Sequence, residues 1–449
     1  MSDVLIVTLG TTLEPIINCI SSLRPDRVVY VCSSETEKLV EQVRAKVPVD
    51  NFQYDRDVIV LQQRLSPKEG DEVINELDQL DRVYSRTIDL FDTIRKQSPG
   101  CRITADYTGG TKTMTTGLAM AAIDDGAVTL NLTNLDRSRG HAAVSGYSAP
   151  VAVNTAAIHA RRLRDRELPD LLKRHDYEAA RQAVRRVLTH TGPDSETSRW
   201  LRHLEDLLVA LDDWDRFDHL RAVQVLTQLN ERILDEPLLF PLKRVIASRR
   251  LLDRTAEEER WPQMKGHGLE AVEDLLRNAE RRATQKRYDD AVGRLYRAME
   301  LTAQLLLKLA VTERVGADGI ETAAVALDRL PAAIQPRWRE LAARKANGKQ
   351  ESTLEIGLTD AFDLLADLGH PTGQRWIEQR GLLIDALQIR NHSLFAHGFA
   401  PVGYQGWRKL SSKLGAFLES AIEEHSKSHG TLLPLAQFPT TLADLLRES

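Results

Sequence analysis

The strand signals of this 449-residue chain stop near residue 155, and that change limits what it can fold into. Before it, residues 4–8, 27–32, 57–61, 101–107 and 127–132 are short runs rich in Val, Ile and Leu, as in strands buried on both faces of a parallel sheet. Between them, residues 12–23, 34–46, 71–97 and 112–124 carry helical patterning. The alternation predicts an α/β domain over residues 1–155, a doubly wound parallel sheet that binds ligands beyond the carboxyl ends of its strands. Arginine-rich amphipathic helices follow, predicting an all-α remainder: a helical connecting region over 156–265, a four- or five-helix bundle over 266–430 and a tail over 431–449. Pro434 and Pro439 mark that tail as a segment that drapes over another surface.

With 42% apolar and 28% charged residues and no run of about 18 apolar residues, the chain reads as a cytoplasmic globular protein with no membrane partner. A net charge of −5 argues against a general coat for nucleic acid and leaves local basic patches open. Cys19, Cys32 and Cys101 are too few and scattered for a disulfide framework or a zinc site, and read as small core residues.

Two strand ends carry loop chemistry. Thr8-Leu-Gly10-Thr11-Thr12 and Asp106-Tyr-Thr108-Gly109-Gly110-Thr111-Lys112 each lead from a strand directly into a helix. Glycines let backbone approach a ligand, free amides at a helix start attract anions, and Lys112 adds positive charge, so both read as phosphate cradles. Gly109-Gly110 is also what a tight strand-to-helix turn requires. The second loop is not a Walker loop, since Thr111 stands where the glycine before the lysine belongs, and no G-x-G-x-x-G is present.

In the helical part, Asp176-Tyr-Glu-Ala-Ala-Arg and Arg287-Tyr-Asp-Asp-Ala-Val share a phrase, yet two copies about 111 residues apart lack the regular period of a solenoid. They read as cores of helix pairs. Residues 288–309 put Leu295, Met299, Leu305 and Leu306 on one apolar face, with Arg297 and Glu300 near it.

The chemistry-bearing segment is residues 382–398. A helix over 381–397, stopped by Gly398, would put Leu383, Leu387, Arg390, Leu394 and His397 on one face, with His392 elsewhere. Arginine can hold charge developing on a phosphate, and histidine can take a proton from a ribose 2′-hydroxyl or give one to the leaving oxygen. One histidine serves poorly as both base and acid in one turnover, so the pair asks for a second copy across a two-fold axis. Taken alone, an arginine and a histidine on one helix face are common in structural and solvent-facing roles.

Arg390-Asn391-His-Ser-Leu-Phe-Ala-His397 resembles the R-x(4–6)-H motif of HEPN ribonucleases, and the Asp106–Lys112 loop resembles the ligand loop of CARF domains, the Rossmann-like sensors of type III CRISPR systems. The domain order is similar to that of the CARF–HEPN CRISPR-associated accessory ribonucleases, which cyclic oligoadenylates activate. The resemblance implies Arg390 and His397 as the catalytic pair with Asn391 positioning, and Gly10, Thr11, Thr12, Thr108, Gly109, Gly110, Thr111 and Lys112 as the ligand-binding set. It further implies a homodimer, a single-stranded RNA substrate, a 2′,3′-cyclic phosphate product, no metal, and cyclic tetra-adenylate or hexa-adenylate as activator. Should the helix break early, His392 competes with His397 for the catalytic role. The alternative is a ligand-sensing regulator whose helical dimerisation domain is inactive, and the hydroxyls of residues 108–113 leave slow cleavage of the ligand itself open.

Overall fold

Each apolar run before residue 155 forms a strand, because β-branched residues bounded by turn chemistry pair edge to edge and leave two faces for helices to cover. The structure, a computed structural model, describes residues 2–61, 79–133, 149–192, 195–233, 238–250, 266–311, 324–346, 352–393, 398–430 and 434–446. It divides into two compact units, residues 1–163 with 186–198 and residues 164–185 with 199–449.

In the first unit the order is β1 (Asp3–Thr8), α1 (Glu14–Leu23), β2 (Arg27–Ser33), α2 (Val40–Lys46), α3 (Tyr54–Asp57), β3 (Val58–Leu61), α4 (Leu80–Gln97), β4 (Arg102–Asp106), α5 (Lys112–Asp125), β5 (Thr129–Thr133), β6 (Pro150–Ala152) and α6 (Ala156–Arg162). The sheet order is β3-β2-β1-β4-β5-β6, parallel through β5, with β6 antiparallel at the edge. Residues 71–78 of the helix expected over 71–97 lie outside the described residues.

The pleat sorts the side chains. Leu5, Val7, Val28, Tyr30 and Cys32 pack with Ile16, Cys19 and Ile20 of α1 and Val40 and Val43 of α2. Val4, Ile6, Val29, Val31, Ile103 and Ala105 pack with Val83, Phe91 and Ile94 of α4 and Met114, Leu118 and Ala121 of α5. The helices after the neighbouring strands β1 and β4 therefore cover opposite faces, and a crevice opens between those strand ends.

The second unit is built from α7 (Leu168–Lys173), α8 (Tyr177–Leu188, which crosses the boundary), α9 (Glu196–Asp215), α10 (His219–Ile233), α11 (Leu239–Arg249), α12 (Glu270–Thr284), α13 (Tyr288–Val311), α14 (Gln335–Lys345), α15 (Leu358–Asp367), α16 (Pro371–Asn391), α17 (Tyr404–Leu410), α18 (Ala416–Ser428) and α19 (Leu442–Leu446). A two-stranded ribbon joins β7 (Ala324–Ala326) to β8 (Thr353–Glu355). The expected apolar face of α13 is buried through Leu295, Met299, Leu305 and Leu306. Beside it Phe362 stacks on Trp376 with centroids 4.9 Å apart, and Phe417 meets both rings edge-on at 5.3 and 6.2 Å. No described helix is long and apolar enough to cross a membrane.

The phrase shared by residues 176 and 287 is a repeated turn. His175, Phe217 and Lys286 are left-handed, with φ of 53°, 67° and 62°. In each case the next amide reaches back to close the preceding helix: Asp176 N–H donates to Leu171 O, Asp218 N–H to Asp213 O and Arg287 N–H to Arg282 O, all at 2.9 Å. Five residues beyond the left-handed residue sits a fully buried alanine, Ala180, Ala222 or Ala291, small enough for neighbouring helices to approach. The tail drapes as expected: Phe438 lies 4.8 Å from the Trp214 ring of α9 and beneath the Arg281 guanidinium of α12, and Leu435 N–H donates to Glu273 of α12.

Candidate functional site

The crevice in the first unit is built from backbone. Thr8 Oγ1 donates to Gly109 O, tying the loop after β1 to the loop after β4. A Cβ at Gly10 would lie 2.7 Å from Gly110 N, and one at Gly109 would lie 2.5 Å from Thr8 O, while Gly110 has φ of +96°. Side chains at these positions would force the loops apart, so the glycines serve a close approach as well as a turn.

Beneath the loops Asp106 is fully buried. One carboxylate oxygen accepts from Thr108 N–H at 3.0 Å, and the other accepts from Thr133 Oγ1 at 2.7 Å and Cys19 Sγ at 3.4 Å. Thr108 Oγ1 in turn accepts from Thr133 N–H at 2.7 Å. Burial, then Asp106, pushes the Cys19 thiol up to about 12, which keeps it a donor at neutral pH. Thr111 caps α5, its hydroxyl accepting from Met114 N–H at 3.3 Å. Thr11, Thr12, Gly110, Thr111 and Lys112 are exposed, with Gly10, Thr108 and Gly109 half-buried behind them. The two loops that carry the eight expected ligand-binding residues thus meet at Gly10, Gly109 and Gly110, and a loop pair with hydroxyls and a cation at a helix start suits an anion.

Arg390 lies in the second unit near the end of α16. The helix expected over 381–397 differs at both ends. It starts at Pro371, because His370 caps it by accepting from Thr372 N–H at 3.2 Å. It stops at Asn391, because Ser393 Oγ donates to Arg390 O at 2.7 Å and competes with the next helical amide. The chain then folds back: Gly398 N–H donates to Ser393 O and Ala400 N–H to His392 O, both at 3.2 Å. A Cβ at Gly398 would fall 1.9 Å from His392 O, so this close approach takes a glycine.

Leu383 and Leu387 are buried as the shared face required, while Leu394 and His397 lie outside the described residues. His392 is exposed beyond the helix end, its Nδ1 2.9 Å from Gln388 O. Arg390 Nη1 donates to Asn391 Oδ1 at 3.4 Å. Its guanidinium sits 4.0 Å over the Tyr296 ring of α13, a partner no sequence spacing indicated. Burial first, then Glu300, raises the Tyr296 phenol, and Glu300 also takes Arg297 at 3.3 Å.

Comparison with known proteins follows the same division. Residues 263–420 match the family model of the Csm6 HEPN domain. Enterococcus italicus Csm6 bound to cyclic hexa-2′-fluoro-hexa-dAMP is similar over 95% of this chain and 95% of its own, at 12% identity and a TM-score of 0.58. The chain has the Csm6 fold. The HEPN match falls on the segment expected to be a HEPN bundle and contains Arg390, and the fold agrees with the expected order of an α/β domain followed by helices. Can2 from Sulfobacillus thermosulfidooxidans in complex with cyclic tetra-adenylate matches over 51% of this chain and 68% of its own, at 16% identity and a TM-score of 0.21. No curated protein sequence matches the chain.

Proposed function

We propose that this protein is a metal-independent endoribonuclease for single-stranded RNA, switched on when a cyclic oligoadenylate occupies the first unit. One observation carries the reading: a segment matching the Csm6 HEPN domain contains, at the end of α16, the arginine of an Arg390-Asn391-x(5)-His397 motif. In the proposed reaction the ribose 2′-oxygen attacks phosphorus and the 5′-oxygen leaves, giving a 2′,3′-cyclic phosphate. His397 moves the proton and Arg390 holds the charge on the phosphate oxygens, with Asn391 positioning. A second copy of the chain, brought up across a two-fold axis, supplies the second histidine that base and acid roles require.

The activator reading rests on the loop rim from Gly10 to Lys112, a cradle suited to phosphodiesters, and on the ring bound by the Enterococcus Csm6. A ring of four or six adenylates changes activity only by binding the active arrangement more tightly than the inactive one. The test is cleavage of a single-stranded RNA with and without cyclic tetra- and hexa-adenylate. Cleavage is expected with one ring, absent in His397→Ala and Arg390→Ala, and shifted to higher ring concentration in Lys112→Ala. Ring-independent cleavage that survives His397→Ala overturns the proposal, and tight ring binding without cleavage of any RNA leaves the regulatory alternative.

A further inference from the structure

A cavity of about 520 Å³ lies wholly within the second unit, where the α7–α8 turn, the end of α9 and the α12–α13 turn approach one another. Gln285 draws two of these turns together by donating to the carbonyls of Arg174 and His175, both at 3.1 Å. Five arginines and five carboxylates line the cavity, and their pairing decides what it can hold. The carboxylates are committed. Asp212 takes Arg216 at 2.8 Å, Asp290 takes Arg287 at 2.6 Å, Glu178 takes Arg181 at 3.1 Å, Asp215 is shared by Arg281 and Arg282, and Asp176 accepts from Ala179 N–H at the start of α8.

Three of the five cavity arginines are paired in this way, and Arg174 and Arg294 have no such pair with a described residue. Arg294 makes no hydrogen bond or ion pair with any described residue, and its half-buried guanidinium lies 5.1 Å from the Phe217 ring. Arg282 is 9% exposed, with its buried Nε unpartnered. Arg174 forms no ion pair with a described residue and only donates to Asp170 O at 3.2 Å. Burial first, then Arg294 and Arg287, hold the Arg282 guanidinium below its ordinary value, as mutually repelling cations do. The remaining wall is flat and neutral: the buried His175 ring is pushed down to about 4, chiefly by burial, and its Nδ1 lies 2.8 Å from the Tyr177 hydroxyl.

We propose that this cavity binds a phosphomonoester dianion, gripped by Arg294 and Arg174 with Arg282 behind them. Guanidinium forks match two phosphate oxygens at once, and a doubly charged group relieves the repulsion among the arginines. The volume admits an organic group beside the phosphate, with His175 and Tyr177 as the surface it lies against. This site is separate from the loop rim of the first unit and independent of the ribonuclease reading.

The test uses the full chain carrying Lys112→Ala, so that the loop rim is weakened. Inorganic phosphate, adenosine 5′-monophosphate and a 5′-phosphorylated tetra-adenylate are titrated by calorimetry, with adenosine and unphosphorylated tetra-adenylate as controls. Binding of the monophosphate at roughly 1 mM or tighter is expected, weakened at least about tenfold by Arg294→Gln and less by Arg294→Lys. Should Arg294→Gln lower the melting temperature by itself, the exposed Arg174→Gln is expected to weaken binding in the same direction. Success with the phosphorylated tetra-adenylate as well identifies an RNA end as one source, and success with the mononucleotide alone identifies the free nucleotide. The proposal is overturned if neither monoester binds up to about 10 mM, if both arginine variants bind as the parent does, or if inorganic phosphate alone binds.

Discussion

Arg390, the arginine of the proposed catalytic pair, illustrates how a long side chain can be held in place. A surface arginine has about 2 kcal/mol of rotamer freedom to lose, and a ring beneath it removes part of that loss in advance. Tyr296 supplies the ring, Glu300 holds its hydroxyl, and the consequence is separable by substitution. Tyr296→Phe keeps the ring and is expected to retain RNA cleavage within about threefold, whereas Tyr296→Leu is expected to lower kcat about tenfold or more with the melting temperature little changed. Equal activity of both variants removes Tyr296 from any positioning role. This partner was illegible in the sequence because only tertiary packing joins residues 296 and 390. The glycines at 10, 109 and 110 were legible as loop chemistry, but the contact between the two loops was not, since Cβ clearance is a property of two strand ends and not of either motif.

The strands and most helices were readable from the sequence because their apolar residues repeat at the period of the element. What failed did so for local reasons. Residues 150–152 make too short a run to register as a strand, and α16 was misjudged because residues 390, 394 and 397 keep helical spacing beyond the point where the Ser393 hydroxyl and the fold-back at Gly398 end the helix. Within the second unit, α18 carries a pH dependence. His425 Nε2 donates to His267 O at 2.7 Å, and its ring stands 4.2 Å from that of His429. Burial first, then His429, pushes it down to about 4; burial does the same to His175. Between that value and the ordinary 6.5 the unfolded chain binds protons that the folded chain refuses, so stability is full above about pH 6.5 and falls as pH drops toward 4. Each histidine costs stability on the order of 3 kcal/mol at the acid limit. Melting temperatures measured from pH 7.5 to 4.5 are expected to fall steadily, and to fall less in His425→Gln; a flat profile contradicts the assignment.

For the whole molecule, the proposed ligand rim and the proposed ribonuclease motif belong to different compact units, so each is expected to respond to its own partner in a separate measurement. Ring binding is expected to survive His397→Ala unchanged, and RNA cleavage in the presence of the ring is expected to persist in excess EDTA. Loss of cleavage on chelation, restored by a divalent ion, contradicts proton transfer by histidine alone. The α/β half of this arrangement was legible as alternation and the helical half only as a count of helices, because helix packing depends on which faces meet.

The repeated turn of the helical unit has a bearing on engineering. Three helix pairs close through a left-handed residue, and none of the three is glycine. Each therefore stores backbone strain of about 1 kcal/mol that a residue without Cβ relieves. Lys286 is exposed and its side chain makes no hydrogen bond or ion pair with a described residue that glycine would forfeit, so Lys286→Gly is expected to raise the melting temperature by about 1–3 °C. A stabilised background of that kind would let the costlier substitutions at Arg390 and Arg294 be read as changes in chemistry and binding, free of partial unfolding.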